Sequence, residues 1–252
     1  MRQERVDDLL EQAGGIGLFQ IFSFVIFVCG LSGVHFLWYG IPLYIKPPVY
    51  VCQWANPELH ESAICTAEQI CAQNPEILSW SIDWQSQESM HNWQQKLDLM
   101  CVSKFKVGLL GSAYFVGWCF SLLWAPRLAD IYGRKTSFRI TQIADFLLFS
   151  GMYLTTGVNG AIGIILGIGF YTSLRLGVGY IYMLELFPTR AQTRFATAWC
   201  VFEASIMLWI TLYFIFSATR NWATISMVGY VMQVVGLVGV FFIPESPKFL
   251  LE

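Results

Sequence analysis

Three ionisable residues interrupt long apolar stretches of this sequence: Asp145, Arg175 and Glu203. An unpaired charge inside a bilayer costs several kcal/mol, with estimates starting at about 2.5 kcal/mol, so such residues are expected to pair. Counted from the nearest helix ends by helix rise, each lies roughly 12–15 Å deep. Because residues at similar depth can meet, we predict an Asp145–Arg175–Glu203 cluster. The charges either bind a charged solute or a proton, or form a buried ion network that fixes helix rotation.

The sequence contains no catalytic set. Its three histidines, His35, His60 and His91, are scattered, and no Ser/His/Asp order, phosphate-binding loop or metal-ligand spacing is present. We interpret His35 as an interfacial residue at the outer end of the first apolar stretch. We therefore predict that the protein is not an enzyme and that it has no metal and no cofactor.

The composition is that of a membrane protein. Of the 252 residues, 56% are hydrophobic and 13% are charged, whereas a soluble domain carries roughly a quarter charged residues. The net charge of −2 makes nucleic acid an improbable partner. A lipid bilayer is the first partner that this composition implies.

Six stretches approach the roughly 20 apolar residues that a membrane-spanning helix needs. They are 16–39, 107–126, 138–157, 161–184, 196–218 and 222–243. We expect an all-α polytopic protein, divided into an N-terminal segment (1–15), a first span with its exit (16–46), an extramembrane loop subdomain (47–105) and spans two to six (106–252).

Basic residues set the predicted orientation. They cluster between spans two and three and between spans four and five, at Arg127, Arg134, Lys135, Arg139, Arg190 and Arg194. The loop over 47–103 instead holds seven acidic residues and one base, Lys96. Both termini should therefore lie on the cytoplasmic or matrix side, in the plasma membrane or the mitochondrial inner membrane. The loop has no Asn-x-Ser/Thr site for a glycan, which leans towards an internal membrane.

Four of the seven cysteines, Cys52, Cys65, Cys71 and Cys101, lie in the acidic loop. In a non-cytosolic loop they are expected to form two disulfides, with three pairings open. A zinc site is the alternative, although no CxxC spacing is present. Residues 79–100, which include Trp80, Trp84 and Trp93, could form an amphipathic interfacial helix, or the tryptophans could be the loop's own core.

Several motifs carry a family resemblance. The stretch RLADIYGRK (127–135) places Asp130, Gly133, Arg134 and Lys135 in the D-x-x-G-R-K pattern and resembles the signature of major facilitator superfamily transporters. It is accompanied by VDDLLEQAGGIGLFQ (6–20), KLDLMC (96–101), YIYMLELFPT (180–189, with Glu185 and Pro188) and PESPKFLL (244–251, beginning Pro244, Glu245, Ser246, Pro247). Together these stretches resemble the organic cation and carnitine transporter branch, which also has a Cys-bearing outer loop.

The resemblance implies the N-terminal six-helix half of a twelve-span fold. In that fold the substrate site lies near the midplane between two halves. A second six-helix half or other membrane subunits would cover the concave face, and small organic ions would be the substrates. Three positions depart from the family pattern, which expects Gly at Pro126, Arg near Gly163 and Arg at Gln192; these departures put gating in doubt.

These departures favour a half-transporter that acts as an accessory or structural subunit of a larger membrane complex, for example a mitochondrial respiratory assembly. For such an isolated half we favour the ion-network interpretation of the charge cluster. The alternatives are one half of a split carrier for small organic ions, and a truncated organic cation transporter.

Overall fold

The computed structural model describes residues 15–55 and 63–250. The elements in chain order are α1 (Leu18–Ser32), α2 (His35–Trp38), α3 (Ile41–Tyr44), β1 (Tyr50–Trp54), β2 (Ile64–Cys65), α4 (Ala67–Cys71), β3 (Ile77–Ile82), α5 (Trp93–Lys96), α6 (Lys104–Leu122), α7 (Ala125–Tyr132), α8 (Arg134–Leu154), α9 (Val158–Thr172), a π-helical segment (Ser173–Val178), α10 (Gly179–Glu185), α11 (Thr189–Phe216), α12 (Trp222–Gly239) and α13 (Pro247–Leu250). The predicted segment 1–15 except Gly15, the loop residues 56–62 with His60, and residues 251–252 lie outside the described residues.

Within this part of the chain, five passes are long and apolar enough to cross a membrane. They are Leu18–Tyr44, Lys104–Leu122, Val158–Glu185, Thr189–Phe216 and Trp222–Gly239. The third predicted span corresponds to α8, whose 21 residues would extend about 31 Å. Its three basic residues and Asp145 reduce its hydropathy, so α8 does not qualify by composition. It packs against α9 and α12, which both qualify as spans. Its position is therefore that of the third of the six predicted spans.

The first span is longer than predicted. The sequence pattern predicts an end at residue 39, but helical structure continues through α2 and α3 to Tyr44. Gly33 and Gly40 mark the breaks between the pieces, and Pro42 occupies the first turn of α3, where a missing N–H costs nothing.

Close helix packing depends on glycines, as is usual in lipid. A Cβ atom at Gly169 on α9 would lie 2.0 Å from the Tyr114 carbonyl oxygen of α6, and one at Gly229 on α12 would lie 2.3 Å from the Gly33 carbonyl oxygen. Gly108, Gly111 and Gly163 do not serve this role, because a Cβ at any of them would meet open space.

The acidic loop forms a small disulfide-linked domain around a three-stranded antiparallel sheet of order β2-β1-β3. The sheet is a strand component that the all-α prediction lacked. Cys52 pairs with Cys65 and Cys71 with Cys101, which confirms the disulfides over the zinc alternative. The described residues contain no group of three or more His, Cys, Asp or Glu side chains that could hold a metal.

The predicted amphipathic helix over 79–100 is wrong. Its first residues belong to β3, and the next helix is the four-residue α5. The alternative, in which the tryptophans form the loop's own core, also fails. Trp93 is fully buried against Tyr44 and Trp222 in the core of the bundle, while Trp80 and Trp84 are exposed. The alternation of tryptophans with polar residues over 79–100 predicted the wrong secondary structure. A short loop domain is organised instead by its disulfides and by its contact with the bundle.

Lys96, the single base of the acidic loop, joins the disulfide-linked domain to the bundle. Its Nζ donates hydrogen bonds to the carbonyls of Met152 (2.9 Å) and Tyr153 (2.8 Å) at the C-terminal end of α8. It also lies 4.7 Å from the ring centroid of Trp222. Burial lowers the pKa of Lys96. A cation is favoured here because the end of a helix carries a partial negative charge.

Replacing Lys96 by methionine should therefore destabilise the protein by about 1–3 kcal/mol, because the helix-end carbonyls lose a charged donor while the alkyl stem is kept. The matched control is Lys104→Met, since Lys104 pairs with Glu68 in full solvent exposure and its loss should not change the midpoint. Thermal unfolding in one detergent measures both. Equal midpoints for the two variants would contradict the proposed connection.

Candidate functional site

The centre of the bundle holds a buried ion pair, as the sequence predicted. Arg175 Nη1 donates to Asp145 Oδ2 at 2.8 Å, and both side chains are completely inaccessible to solvent. Asp145 lies on α8, and Arg175 lies in the π-helical segment that interrupts the fourth span. Single π-type turns occur frequently at functional sites because they re-aim side chains.

The third predicted member, Glu203, joins this pair through a residue that the sequence interpretation excluded. Arg175 Nη2 contacts His35 Nε2 at 3.1 Å, and His35 Nδ1 lies in close contact with Glu203 Oε1. The described contacts thus form a chain, Asp145–Arg175–His35–Glu203, which we call the charge chain. A direct Arg175–Glu203 pair is not among the described ion pairs.

The interpretation of His35 as an interfacial residue is wrong, since the residue is 2% exposed. The error follows from the span boundary. The first span ends at Tyr44, which places His35 about 13 Å from that end by helix rise. Its depth is then similar to that of Asp145, Arg175 and Glu203. The hydropathy of residues 40–44 is the signal that could have placed it there.

Polar groups surround the charge chain. The hydroxyls of Ser32 and Tyr39 lie beside the Glu203 carboxylate, and Trp199 Nε1 donates to Ser32 Oγ at 3.2 Å. Asp145 Oδ1 and Arg175 Nε are buried and have no hydrogen-bond partner among the described residues. The site therefore has unused hydrogen-bonding capacity on both members of its deepest pair.

The charge chain is accessible only at its Glu203 end. The Glu203 side chain is 12% exposed, whereas Asp145 and Arg175 are 0% exposed. A groove of about 570 Å³ runs between α10 and α11 on this side of the bundle, and Ala204, next to Glu203, belongs to its wall. Other lining residues include Tyr180, Gln192, Thr197 and Cys200. The groove wall is mainly apolar, with Gln192, Thr193 and Thr197 as its polar side chains.

The predicted signature residues meet at the opposite end from the disulfide-linked domain, which we call the motif end. Arg134 contacts Asp130 at 3.1 Å and Glu185 at 3.5 Å. Gly133 adopts a φ of +90°, and a Cβ there would lie 2.8 Å from Glu245 Oε2. Only glycine combines this backbone conformation with so close a carboxylate.

The PESPKFLL stretch docks on the same cluster. Glu245 Oε1 accepts hydrogen bonds from the backbone N–H groups of Lys135 (3.0 Å) and Ser246 (2.9 Å). Ser246 Oγ donates to Glu185 Oε2 at 2.5 Å. Tyr182 donates to the Pro244 carbonyl, and Pro247 begins α13. The signature residues of three separate stretches thus form one network.

The residues that depart from the family pattern have local roles at the motif end. Gln192 Nε2 donates to the carbonyls of Leu184 (3.0 Å) and Phe187 (3.1 Å), and so binds the end of α10. Pro188 is the N-cap residue of α11, and Pro126 occupies the first turn of α7. Gln192 therefore satisfies helix-end carbonyls at the position where the pattern expects a charge.

Comparison with known proteins places the chain in a family. The family model described as sugar (and other) transporter matches residues 66–252. Sugar transporter ERD6-like 11 of Arabidopsis thaliana is 28% identical over 162 residues, covering 62% of this chain and 32% of that protein. Sugar transporter ERD6-like 9 of the same plant is 26% identical over 165 residues, covering 64% of this chain and 48% of that protein.

A further relative aligns along almost the whole chain. Protein B0361.11 of Caenorhabditis elegans is 25% identical over 264 residues, covering 97% of this chain and 44% of that protein. The chain thus spans less than half the length of these relatives. They give no support to the organic cation and carnitine branch or to a mitochondrial accessory role. This integral membrane protein, a transporter relative rather than an enzyme, belongs to the sugar (and other) transporter family and hence to the major facilitator superfamily.

Proposed function

We propose that this chain forms one half of a membrane transporter, and that a small polar solute passes the charge chain at its Glu203 end. The observation that carries the proposal is the buried series of contacts Asp145–Arg175–His35–Glu203, whose most exposed member, Glu203, is the chain neighbour of the groove residue Ala204. Ionisable residues at membrane depth are costly and usually mark a solute or ion path.

The unused hydrogen-bonding groups support a path over a purely structural network. A network that served only to fix helix rotation would be expected to satisfy its own donors and acceptors, because each unpaired buried group costs about 1–3 kcal/mol. Asp145 Oδ1 and Arg175 Nε lack such partners in the described part of the chain. These two groups leave hydrogen-bonding capacity at the centre of the bundle that the described network does not use.

A second six-helix unit is the partner that we propose for the open side. Only 17% of the most apolar part of α11 is buried, and only 28% of the most apolar part of α6. The corresponding fraction is 61% for the first span. Lipid can cover their large apolar side chains, whereas Thr193 and Thr197 on the groove wall favour a protein or solute neighbour. The major facilitator arrangement puts its solute site between two such units. We further propose that the motif end faces the cytoplasm, in keeping with its basic residues.

The names of the relatives make a sugar the first solute class to test, and the acidic end of the charge chain makes an organic cation the second. The split-carrier, truncated-carrier and accessory-subunit hypotheses differ in what covers the groove and in whether solute moves.

The test uses the protein in its native membranes. Uptake of radiolabelled hexose and of tetraethylammonium into vesicles should show one of them as a substrate, and Glu203→Gln should reduce its uptake at least tenfold. The same substrate should slow alkylation of Cys200, which lines the groove, but not of Cys119, an exposed cysteine on α6. If neither solute is taken up and neither protects Cys200 from alkylation, the proposal is overturned and the accessory role is favoured.

A further inference from the structure

A cleft of about 830 Å³ lies between the disulfide-linked domain and the ends of the first two spans, and we call it the interfacial cleft. Its lining includes Lys46, two positions after the first span ends at Tyr44, and Lys104, the first residue of the second span. Val107, also in the lining, lies one turn further into the second span, about 4.5 Å by helix rise. Lipid headgroups occupy a layer of about 5–8 Å on each side of the hydrocarbon core. The interfacial cleft therefore lies at the depth of this layer.

The inner wall of the interfacial cleft is mainly apolar. It is formed by Val49, Tyr50, Ile64, Leu99, Met100 and Val102. A fully hydrated solute gains little from such a wall, whereas the glycerol backbone and the upper acyl chains of a lipid would bury apolar surface against it. Apolar concavities of this kind usually mark an interaction site. Their position beside the bilayer makes a lipid the expected occupant here.

Two ion pairs border the same cleft. Lys46 Nζ lies 3.5 Å from Glu88 Oε2, and Lys104 Nζ lies 2.6 Å from Glu68 Oε1. All four residues belong to the lining. Their side chains are between 40% and 92% exposed, so each pair contributes little to stability and its members can change partner at low cost. The border therefore offers two cations and two anions to a ligand.

This balance of charge favours a zwitterionic headgroup over an anionic one. In phosphatidylcholine a phosphate and a quaternary ammonium group are neighbours, so the phosphate can accept from the lysines while the ammonium group lies beside the carboxylates. An anionic lipid would satisfy the lysines but would leave Glu68 and Glu88 facing a negative charge. Residues 47–103 carry seven acidic residues and one base, which adds to this repulsion.

We propose that the interfacial cleft binds the headgroup of a zwitterionic phospholipid. Lys46 and Lys104 bind its phosphate group. Glu68 and Glu88 accompany its ammonium group, and the acyl chains leave past Val107 into the bilayer. No residue of the charge chain lines this cleft, so the proposal does not depend on the proposed function. A bound lipid would attach the disulfide-linked domain to the membrane surface.

Lipid selectivity tests the proposal. The whole protein, purified and depleted of lipid in a mild detergent, is offered equal amounts of phosphatidylcholine and phosphatidylglycerol with the same acyl chains, and native mass spectrometry measures the lipid retained. The wild type should retain mainly phosphatidylcholine. The variant Glu68→Gln with Glu88→Gln leaves both lysines unopposed, and should shift the preference towards phosphatidylglycerol by about fivefold for each charge removed. A wild type that prefers phosphatidylglycerol, or a double variant with unchanged selectivity, would overturn the proposal.

The lysines are tested with a matched control. Lys46→Gln with Lys104→Gln should lower the retention of phosphatidylcholine at least about fivefold. Lys106→Gln removes an exposed charge from the same turn of α6, outside the lining of the cleft, and should retain the lipid as the wild type does. Because these charges are exposed, unfolding midpoints in lipid-free detergent should be equal for all variants, which separates lost binding from lost folding. Retention that is equal in the double variant and the control would refute the role of the lysines.

A soluble headgroup distinguishes a lipid site from a site for a free zwitterion. Glycerophosphocholine has the same phosphate and ammonium groups as phosphatidylcholine but no acyl chains. At equal concentration it should not displace phosphatidylcholine from the wild type, because the apolar wall contributes to binding only when acyl chains are present. Displacement at equal concentration would overturn the assignment of the cleft to a lipid.

Discussion

Replacement of Arg175 by methionine should destabilise the bundle by about 3–5 kcal/mol, the largest effect that we expect from a single side chain. The variant leaves the Asp145 carboxylate buried, charged and without its partner at 2.8 Å. It also removes the donor to His35 Nε2. Thermal or denaturant unfolding in detergent, followed by tryptophan fluorescence, measures the loss.

A double variant separates an unpaired charge from lost packing. In Asp145→Leu with Arg175→Met both charges are replaced by apolar groups, and such replacements are often neutral or better. Most of the lost stability should therefore return. Arg194→Met, at an exposed position on α11, is the control and should change stability by less than about 0.5 kcal/mol. If the double variant lost at least as much as Arg175→Met alone, the ion pair would be ruled out as the cause.

Gly169→Ala should separate α9 from α6 and destabilise the protein by about 3 kcal/mol or more, at the upper end of overpacking effects. The added Cβ would lie 2.0 Å from the Tyr114 carbonyl oxygen, and a backbone atom cannot move aside as a side chain can.

The matched control makes the same substitution on the same helix. A Cβ at Gly163 meets nothing within 4 Å, so Gly163→Ala should only add helix propensity and stabilise by up to about 1 kcal/mol. Equal unfolding midpoints for the Gly169 and Gly163 variants would show that α6 and α9 do not approach as closely as described here.

The motif end shows how far sequence patterns can reach. The spacing of Asp130, Gly133 and Arg134 indicated the family signature, and in the fold Gly133 separates α7 from α8 with a positive φ. The pattern did not predict that Glu245, more than 100 residues later, would accept the Lys135 N–H. Such a contact depends on how the start of the third span lies beside the end of the sixth.

Sequence reasoning placed Asp145 and Arg175 together because depth follows from counting residues along a helix of fixed rise. It missed His35 because the predicted first span ended at residue 39, five residues before its actual end at Tyr44. It did not specify how Glu203 joins the cluster, because rotation about a helix axis is not encoded in depth. The π-helical segment at Ser173–Val178 changes that rotation at Arg175, and no local pattern predicted it.

The apolar stretches, the basic turns and the loop cysteines determined by themselves that this chain crosses a membrane repeatedly, carries disulfides in its largest loop and resembles a transporter. These properties depend on composition and on local spacing, which each segment satisfies alone. The tertiary structure decided the pairing of the cysteines, the glycines at which helices touch and the order of the charge chain. Each of these depends on the distance between segments remote in sequence, which only the packing of the whole bundle sets.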